Sequence, residues 1–131
     1  MKTHTKYNVA IIDDDYDDAL ILSEALAEAK LSPAPVIWYD PVEAIRNLTA
    51  PIFSSIPSHI FVDFNMPVLN GKECVKALRL DGRYNTSVIT VVSTSLSASD
   101  TTEFCDLGAD YIFKKPGRLA EYLALLKKVF A

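Results

Sequence analysis

At 131 residues the chain has the length of one domain, able to bury roughly two thirds of the surface its unfolded form exposes. Half of its residues are apolar and 23% are charged, which excludes a disordered chain. A net charge of -4, with Lys114-Lys115 and Lys127-Lys128 as isolated basic pairs, argues against nucleic acid as a direct partner. No stretch is long enough to span a bilayer, and the apolar run Val9 to Ile12 is shorter than a signal-peptide core. Cys74 and Cys105 fall inside predicted helices and suit a reducing, cytoplasmic compartment better than a disulfide framework.

In chain order, short apolar runs alternate with amphipathic segments. The run "YNVAII" (7–12) predicts strand one, and 17–30 a helix with Leu22, Ala25, Leu26 and Ala29 on one face. Residues 33–39, "PAPVIWY", read as strand two. Asp40-Pro41 supplies an N-cap followed by proline in the first helical position, which opens a helix over 41–48. A proline-containing loop (49–58) leads to strand three at 59–63 and a helix from Gly71 to about Leu80. Residues 81–86 are turn-rich. Strand four follows at 87–92, then a helix over 98–107 ended by Gly108, and strand five at 110–114. The last helix covers 117–130, with Leu119, Tyr122, Leu123, Leu126 and Phe130 as its inward stripe. Strict alternation of five strand–helix units implies an α/β fold: one domain over 1–131, a doubly wound five-stranded parallel sheet with helices on both faces.

In such sheets the ligand site lies beyond the carboxyl ends of the strands. Strand one ends in Asp13-Asp14-Asp15, strand three in Asp63, strand four in Ser93-Thr94-Ser95 and strand five in Lys114-Lys115-Pro116. Two carboxylates about 4 Å apart repel by roughly 4 kcal/mol at an effective dielectric near 20, so this rim calls for a cation. An all-oxygen donor set suits Mg²⁺. A carboxylate held beside that ion is a nucleophile toward phosphorus, with the lysine and a hydroxyl available to bind the phosphoryl oxygens.

With these motifs in register, the chain resembles a response-regulator receiver domain, in particular the small stand-alone receivers of the chemotaxis-regulator kind. The likeness is carried by "IIDDD" (11–15), "DFNMPVLNG" (63–71), Ser93 standing 15 residues before Gly108, and Lys115-Pro116 seven residues after that glycine. The resemblance implies a flavodoxin-like (βα)5 sheet in strand order 2-1-3-4-5. It implies Asp63 as phosphoacceptor, with Mg²⁺ held by Asp13, Asp14, Asp63 and the Asn65 backbone carbonyl. Asp14 would bind the metal directly and Asp13 chiefly through water. Ser93 and Lys115 would bind the phosphoryl oxygens, and the Lys115-Pro116 peptide would be cis. Thr94 and Ser95 rival Ser93 for the hydroxyl role, and Lys114 rivals Lys115. Many receivers carry an aromatic ring at the position held here by Ile112, so the usual ring rotation on activation is missing.

The expected partners are a sensor histidine kinase or histidine phosphotransfer protein and a downstream protein target, with neither nucleic acid nor membrane contacted directly. Helix 98–107, strand five and the last helix would form a partner or dimer face, with Phe104 and Tyr122 among its apolar residues. Asp15 reads as a helix cap, Asp17 and Asp18 as solvated first-turn charges, and His4 and His59 as without a site role. Two other readings stand beside the signalling one: a scaffold that does not use phosphorylation, and an aspartate-nucleophile phosphatase. The phosphatase would need a second Asp where the chain has Asn65. A flavin carrier is excluded, because "DDDYDD" would repel the flavin phosphate.

Overall fold

A computed structural model describes residues 7–131; His4 lies outside them. Five strands, β1 (Val9–Ile12), β2 (Val36–Trp38), β3 (His59–Asp63), β4 (Val88–Ser93) and β5 (Tyr111–Lys114), form one parallel sheet in the order β2-β1-β3-β4-β5. Five helices connect and follow them: α1 (Tyr16–Glu28), α2 (Pro41–Leu48), α3 (Gly71–Leu80), α4 (Ala98–Leu107) and α5 (Leu119–Val129).

Side chains alternate across each strand, so the sheet feeds two separate cores. Val9, Ile11, Phe61 and Val92 pack against α1 and α5 through Ala19, Leu22, Leu26, Tyr122 and Leu126. On the opposite face Ala10, Ile12, Ile60, Val62 and Val91 meet α2, α3 and α4 through Ala44, Leu48, Val75, Leu78 and Phe104. Both faces of β1 and β3 are covered, which is why these strands read as unbroken apolar runs.

The predicted elements all form, with altered ends. Strand two is three residues long rather than seven, because Pro33 and Pro35 have no N–H to give the ladder. The first helix stops at Glu28 instead of running to Lys30, which turns into the left-handed region (φ 59°) to start the return toward β2. The turn at 81–86 contains a short 3-10 helix, Gly82–Tyr84, whose Tyr84 is wholly buried and donates its hydroxyl to Leu48 O at 2.6 Å. In α5 the buried stripe is Tyr122, Leu125, Leu126 and Val129, whereas Leu119 is exposed.

Two expectations for the α4–β5–α5 face are overturned. Phe104 and Tyr122 are both buried and offer a partner no surface. Phe104 stands edge-on to Phe64 at 5.1 Å, with the Lys72 ammonium over both rings and paired with Asp100 (2.9 Å) and Glu103 (2.8 Å). Helical periodicity marks a residue as apolar and facing one way, but the packing of α3 against α4 decides whether that direction is interior.

The loop between β3 and α3 is closely specified. Gly71 N–H bonds Phe64 O at 2.8 Å, and a Cβ on Gly71 would lie 2.7 Å from Asp63 O and 2.8 Å from Phe64 Cα. Asn70 caps α3 reciprocally with Glu73 (3.0 and 2.9 Å). Val68 breaks the local rules, with φ 68° in the left-handed region and an 88% exposed side chain. Val68→Asn loses no packing and relieves a β-branched residue of that conformation, so it is expected to stabilise the fold by about 1 kcal/mol. An unchanged or lowered urea midpoint would show that the loop holds no such strain.

Candidate functional site

The carboxyl ends of β1, β3, β4 and β5 converge as the alternation predicts. The chain leaves the adjacent parallel strands β1 and β3 toward opposite faces of the sheet, into α1 and α3, so the crevice opens between them. Asp13 follows the last residue of β1, where its backbone N–H bonds Trp38 O at 3.1 Å and its carboxylate accepts from Asp15 N at 2.9 Å. Asp63 is the last residue of β3, level with Val92 of β4. Both carboxylates are buried, while Asp14 is exposed. One carboxylate oxygen from each of Asp13, Asp14 and Asp63 lies within 4.8 Å of the others. Hard oxygens at that spacing fit a divalent cation of the size and preference of Mg²⁺.

Among the described residues, the ammonium of Lys115 offsets this charge. Lys115 Nζ lies 3.2 Å from Asp63 Oδ1, 3.0 Å from Asp13 Oδ2 and 2.7 Å from Asp18 Oδ2, and its side chain is only 7% exposed. Lys114 is exposed and makes none of these contacts, as the two lysines leave β5 on opposite sides. The Asp18 contact was not expected: the first turn of α1, capped by Asp15 accepting from Asp18 N at 3.0 Å, brings that carboxylate over the lysine. The sequence carries no signal for it, since the two residues are 97 positions apart. Asp17 does remain exposed.

These contacts set the titration of the site. Burial, and then the charge of Asp13, push the Asp63 carboxyl up to about 6, against a smaller opposing pull from Lys115. Burial likewise raises Asp13, partly countered by the Asp15 N–H bond and by Lys115. For Lys115, burial works against the ammonium, but Asp18, Asp13 and Asp63 outweigh it and hold the pKa above the ordinary lysine value. One cation shared among three carboxylates thus leaves the carboxylates under-neutralised, the condition in which a second cation is bound.

Ser93 is fully buried at the end of β4, whereas Thr94 and Ser95 are exposed. Its hydroxyl donates to Ser95 O at 2.8 Å and accepts from Asn65 Nδ2 at 3.4 Å, so among the three hydroxyls it is the one tied to the β3–α3 loop. Its carbonyl accepts from Lys115 N at 2.7 Å, coupling the ends of β4 and β5. Ile112 packs into the core under α2, α3 and α4 while Tyr111 faces the α1–α5 side, as the strand alternation requires. The Lys115-Pro116 peptide is trans, as are all the described peptide bonds, contrary to the cis form expected. The lysine is already aimed by its backbone bond to Ser93 and its three carboxylates, and trans is the intrinsically favoured isomer. His59 is buried at the opposite end of β3, stacked on Phe130 at 4.0 Å and remote from this rim.

Comparison with known proteins agrees with this geometry. The chain is 35% identical over 119 residues to the transcriptional regulatory protein PrrA of Mycobacterium leprae, covering 91% of this chain and 48% of that protein. It is 32% identical over 114 residues to stress response regulator protein 1 of Candida tropicalis, covering 86% of this chain and 41% of that one. The chain therefore spans about half the length of the curated relatives it matches, or less. Among solved structures, chemotaxis response regulator CheY4 of Vibrio cholerae superposes with a TM-score of 0.79 at 28% identity, covering 95% of this chain and 99% of that one. The phosphorylated cyanobacterial phytochrome response regulator RcpA shares the fold with a TM-score of 0.81 at 24% identity, covering 94% and 90%. The response regulator receiver domain profile matches residues 9–127, from the first residue of β1 into the last turn of α5 and across the whole acidic rim. By that match, and by the fold and rim that accompany it, the chain belongs to the response regulator receiver domain family.

Proposed function

We propose that the chain works as a phosphoacceptor of a two-component system, a single receiver unit in the cytoplasm that takes a phosphoryl group onto Asp63. The observation that carries this reading is the Asp13-Asp14-Asp63 cluster, with one oxygen of each carboxylate within 4.8 Å of the others and the Lys115 ammonium 3.2 Å from Asp63. The donor is a phosphohistidine on a sensor kinase or phosphotransfer protein. One Asp63 carboxylate oxygen attacks phosphorus as the P–N bond to the donor imidazole breaks. The electron pair of that bond stays on the imidazole nitrogen, which takes up a proton. Asp13, Asp14, Asp63 and the Asn65 carbonyl would hold Mg²⁺, which when bound neutralises charge on the phosphoryl oxygens. Lys115 donates to one phosphoryl oxygen. The Ser93 hydroxyl leaves Ser95 O and donates to another, which moves the 94–97 loop and the start of α4. Thr94 and Pro116 flank these two groups and shape the loops that carry them.

Ile112 has no ring to swing, so the signal leaves by the loop and by α4 alone. It passes to a downstream protein, or to a second copy of this receiver, across the α4–β5–α5 face through exposed polar groups. Charge-assisted bonds of roughly 1.5–3 kcal/mol each supply much of the roughly 5.5 kcal/mol that a complete two-state switch needs.

Mg²⁺ with acetyl phosphate is the direct test. Intact-mass measurement should show a single added phosphoryl group, and chelation of the metal should abolish it. Asp14→Ala should weaken Mg²⁺ binding more than Asp13→Ala. A protein that stays unlabelled with Mg²⁺ and donor in excess would end this reading.

A further inference from the structure

Asp18 makes the shortest of the three contacts to Lys115, yet phosphoryl transfer as described above gives it no task. We propose that Asp18 is a positioning residue: it holds the Lys115 ammonium against the first turn of α1 and competes for it with the phosphoryl group on Asp63. The proposal rests on the phosphoacceptor reading of the site.

An ammonium has three N–H donors, and Lys115 has three carboxylates around it, at 2.7, 3.0 and 3.2 Å. A phosphoryl oxygen can therefore gain a full hydrogen bond from Lys115 only if one carboxylate gives up its share. The three are not equal in what that would cost. Asp63, once it carries the phosphoryl group, is an acyl phosphate without carboxylate charge, so its share of the ammonium passes to a phosphoryl oxygen; Asp13 is 5% exposed, and losing the ammonium would strand a buried charge there. Asp18 is 34% exposed, and water can replace the lysine there. As the ammonium follows the phosphoryl oxygen, its contact to Asp18 Oδ2 is the one that lengthens, with no proton transferred. Because the Asp15 cap fixes the Asp18 backbone, the carboxylate stays in place as the lysine departs, and keeps pulling against the phosphorylated state.

The test compares wild type, Asp18→Asn and Asp17→Asn, titrated with beryllofluoride at saturating Mg²⁺, with the Lys115 Cε resonance followed before beryllofluoride is added. Asp17 is an exposed first-turn carboxylate that makes no bond to Lys115 among the described residues, so its variant changes net charge alone. Asp18→Asn should bind the phosphoryl mimic about fivefold more tightly, the scale of a partly solvated ion pair, and should shift the Lys115 resonance in the free protein. Asp17→Asn should do neither. Unchanged or weaker binding by Asp18→Asn overturns the proposal, and so does an equal gain from Asp17→Asn, which would reduce the effect to bulk charge. If wild type itself fails to bind, the phosphoacceptor reading falls and takes this one with it, and the wild-type titration alone shows that.

Discussion

Asp63→Asn is expected to abolish phosphoryl labelling and, in the same protein, to raise the stability of the metal-free fold at neutral pH. The amide cannot attack phosphorus, which accounts for the first effect. The second follows from the titration of the site. Asp63 has its folded pKa raised from 3.8 to about 6, so the folded protein binds this proton more tightly than the unfolded chain does. Ionising the group therefore costs the fold stability at every pH above about 6, and the cost is relieved as pH falls from there toward 4. The full difference is on the order of 3 kcal/mol, at 1.36 kcal/mol for each pH unit separating the two states. Raised Asp13 acts in the same direction. Urea unfolding in the presence of a chelator should thus show wild type gaining stability from pH 7 to pH 5 relative to Asp63→Asn, with the buried, neutral His59 opposing the gain equally in both proteins. Asp63→Asn should match or exceed wild type at pH 7. Mg²⁺ should reverse the trend for wild type, because protons then compete with the metal for the same oxygens. An equal pH dependence of wild type and Asp63→Asn without metal would show that the carboxylates are already neutralised within the protein.

Gly71→Ala is expected to cost about 3 kcal/mol, because its new methyl group would meet backbone that cannot turn aside. The contacts are Asp63 O at 2.7 Å and Phe64 Cα at 2.8 Å, and Gly71 N is also bonded to Phe64 O. Relief requires the end of β3 to separate from the start of α3, which displaces the residue proposed to accept phosphate. Labelling by acetyl phosphate should therefore slow along with the loss of stability. Gly82→Ala is the control, since its Cβ would find nothing nearer than Asn85 Nδ2 at 3.9 Å. Denaturation midpoints of the two variants check this directly, and equal small losses would mean that the β3–α3 loop yields more easily than its contacts imply.

The order of elements, the two-faced sheet and the convergence of Asp13, Asp14, Asp63, Ser93 and Lys115 were all legible in the residues. Periodicity of apolar side chains and local chemistry at strand ends are properties of short segments, and a parallel sheet carries strand ends to one rim whatever the loops do. The cap at Asp40 and the end of the 98–107 helix at Gly108 were legible for the same reason, whereas the reciprocal Asn70–Glu73 cap was read only from the structure. Tertiary structure alone decided the rest. Asp18 reached Lys115 because α1 and the end of β5 meet across the sheet, while Phe104 went inside because α3 packs against α4, and Tyr122 because α5 packs against α1. Val68 took a backbone conformation that its side chain disfavours, since the loop from Asp63 to Gly71 has to return against β3. A segment's own pattern sets what it can bury and cap, but the neighbour of a charge or a ring is chosen by packing between layers, through contacts that no local spacing records.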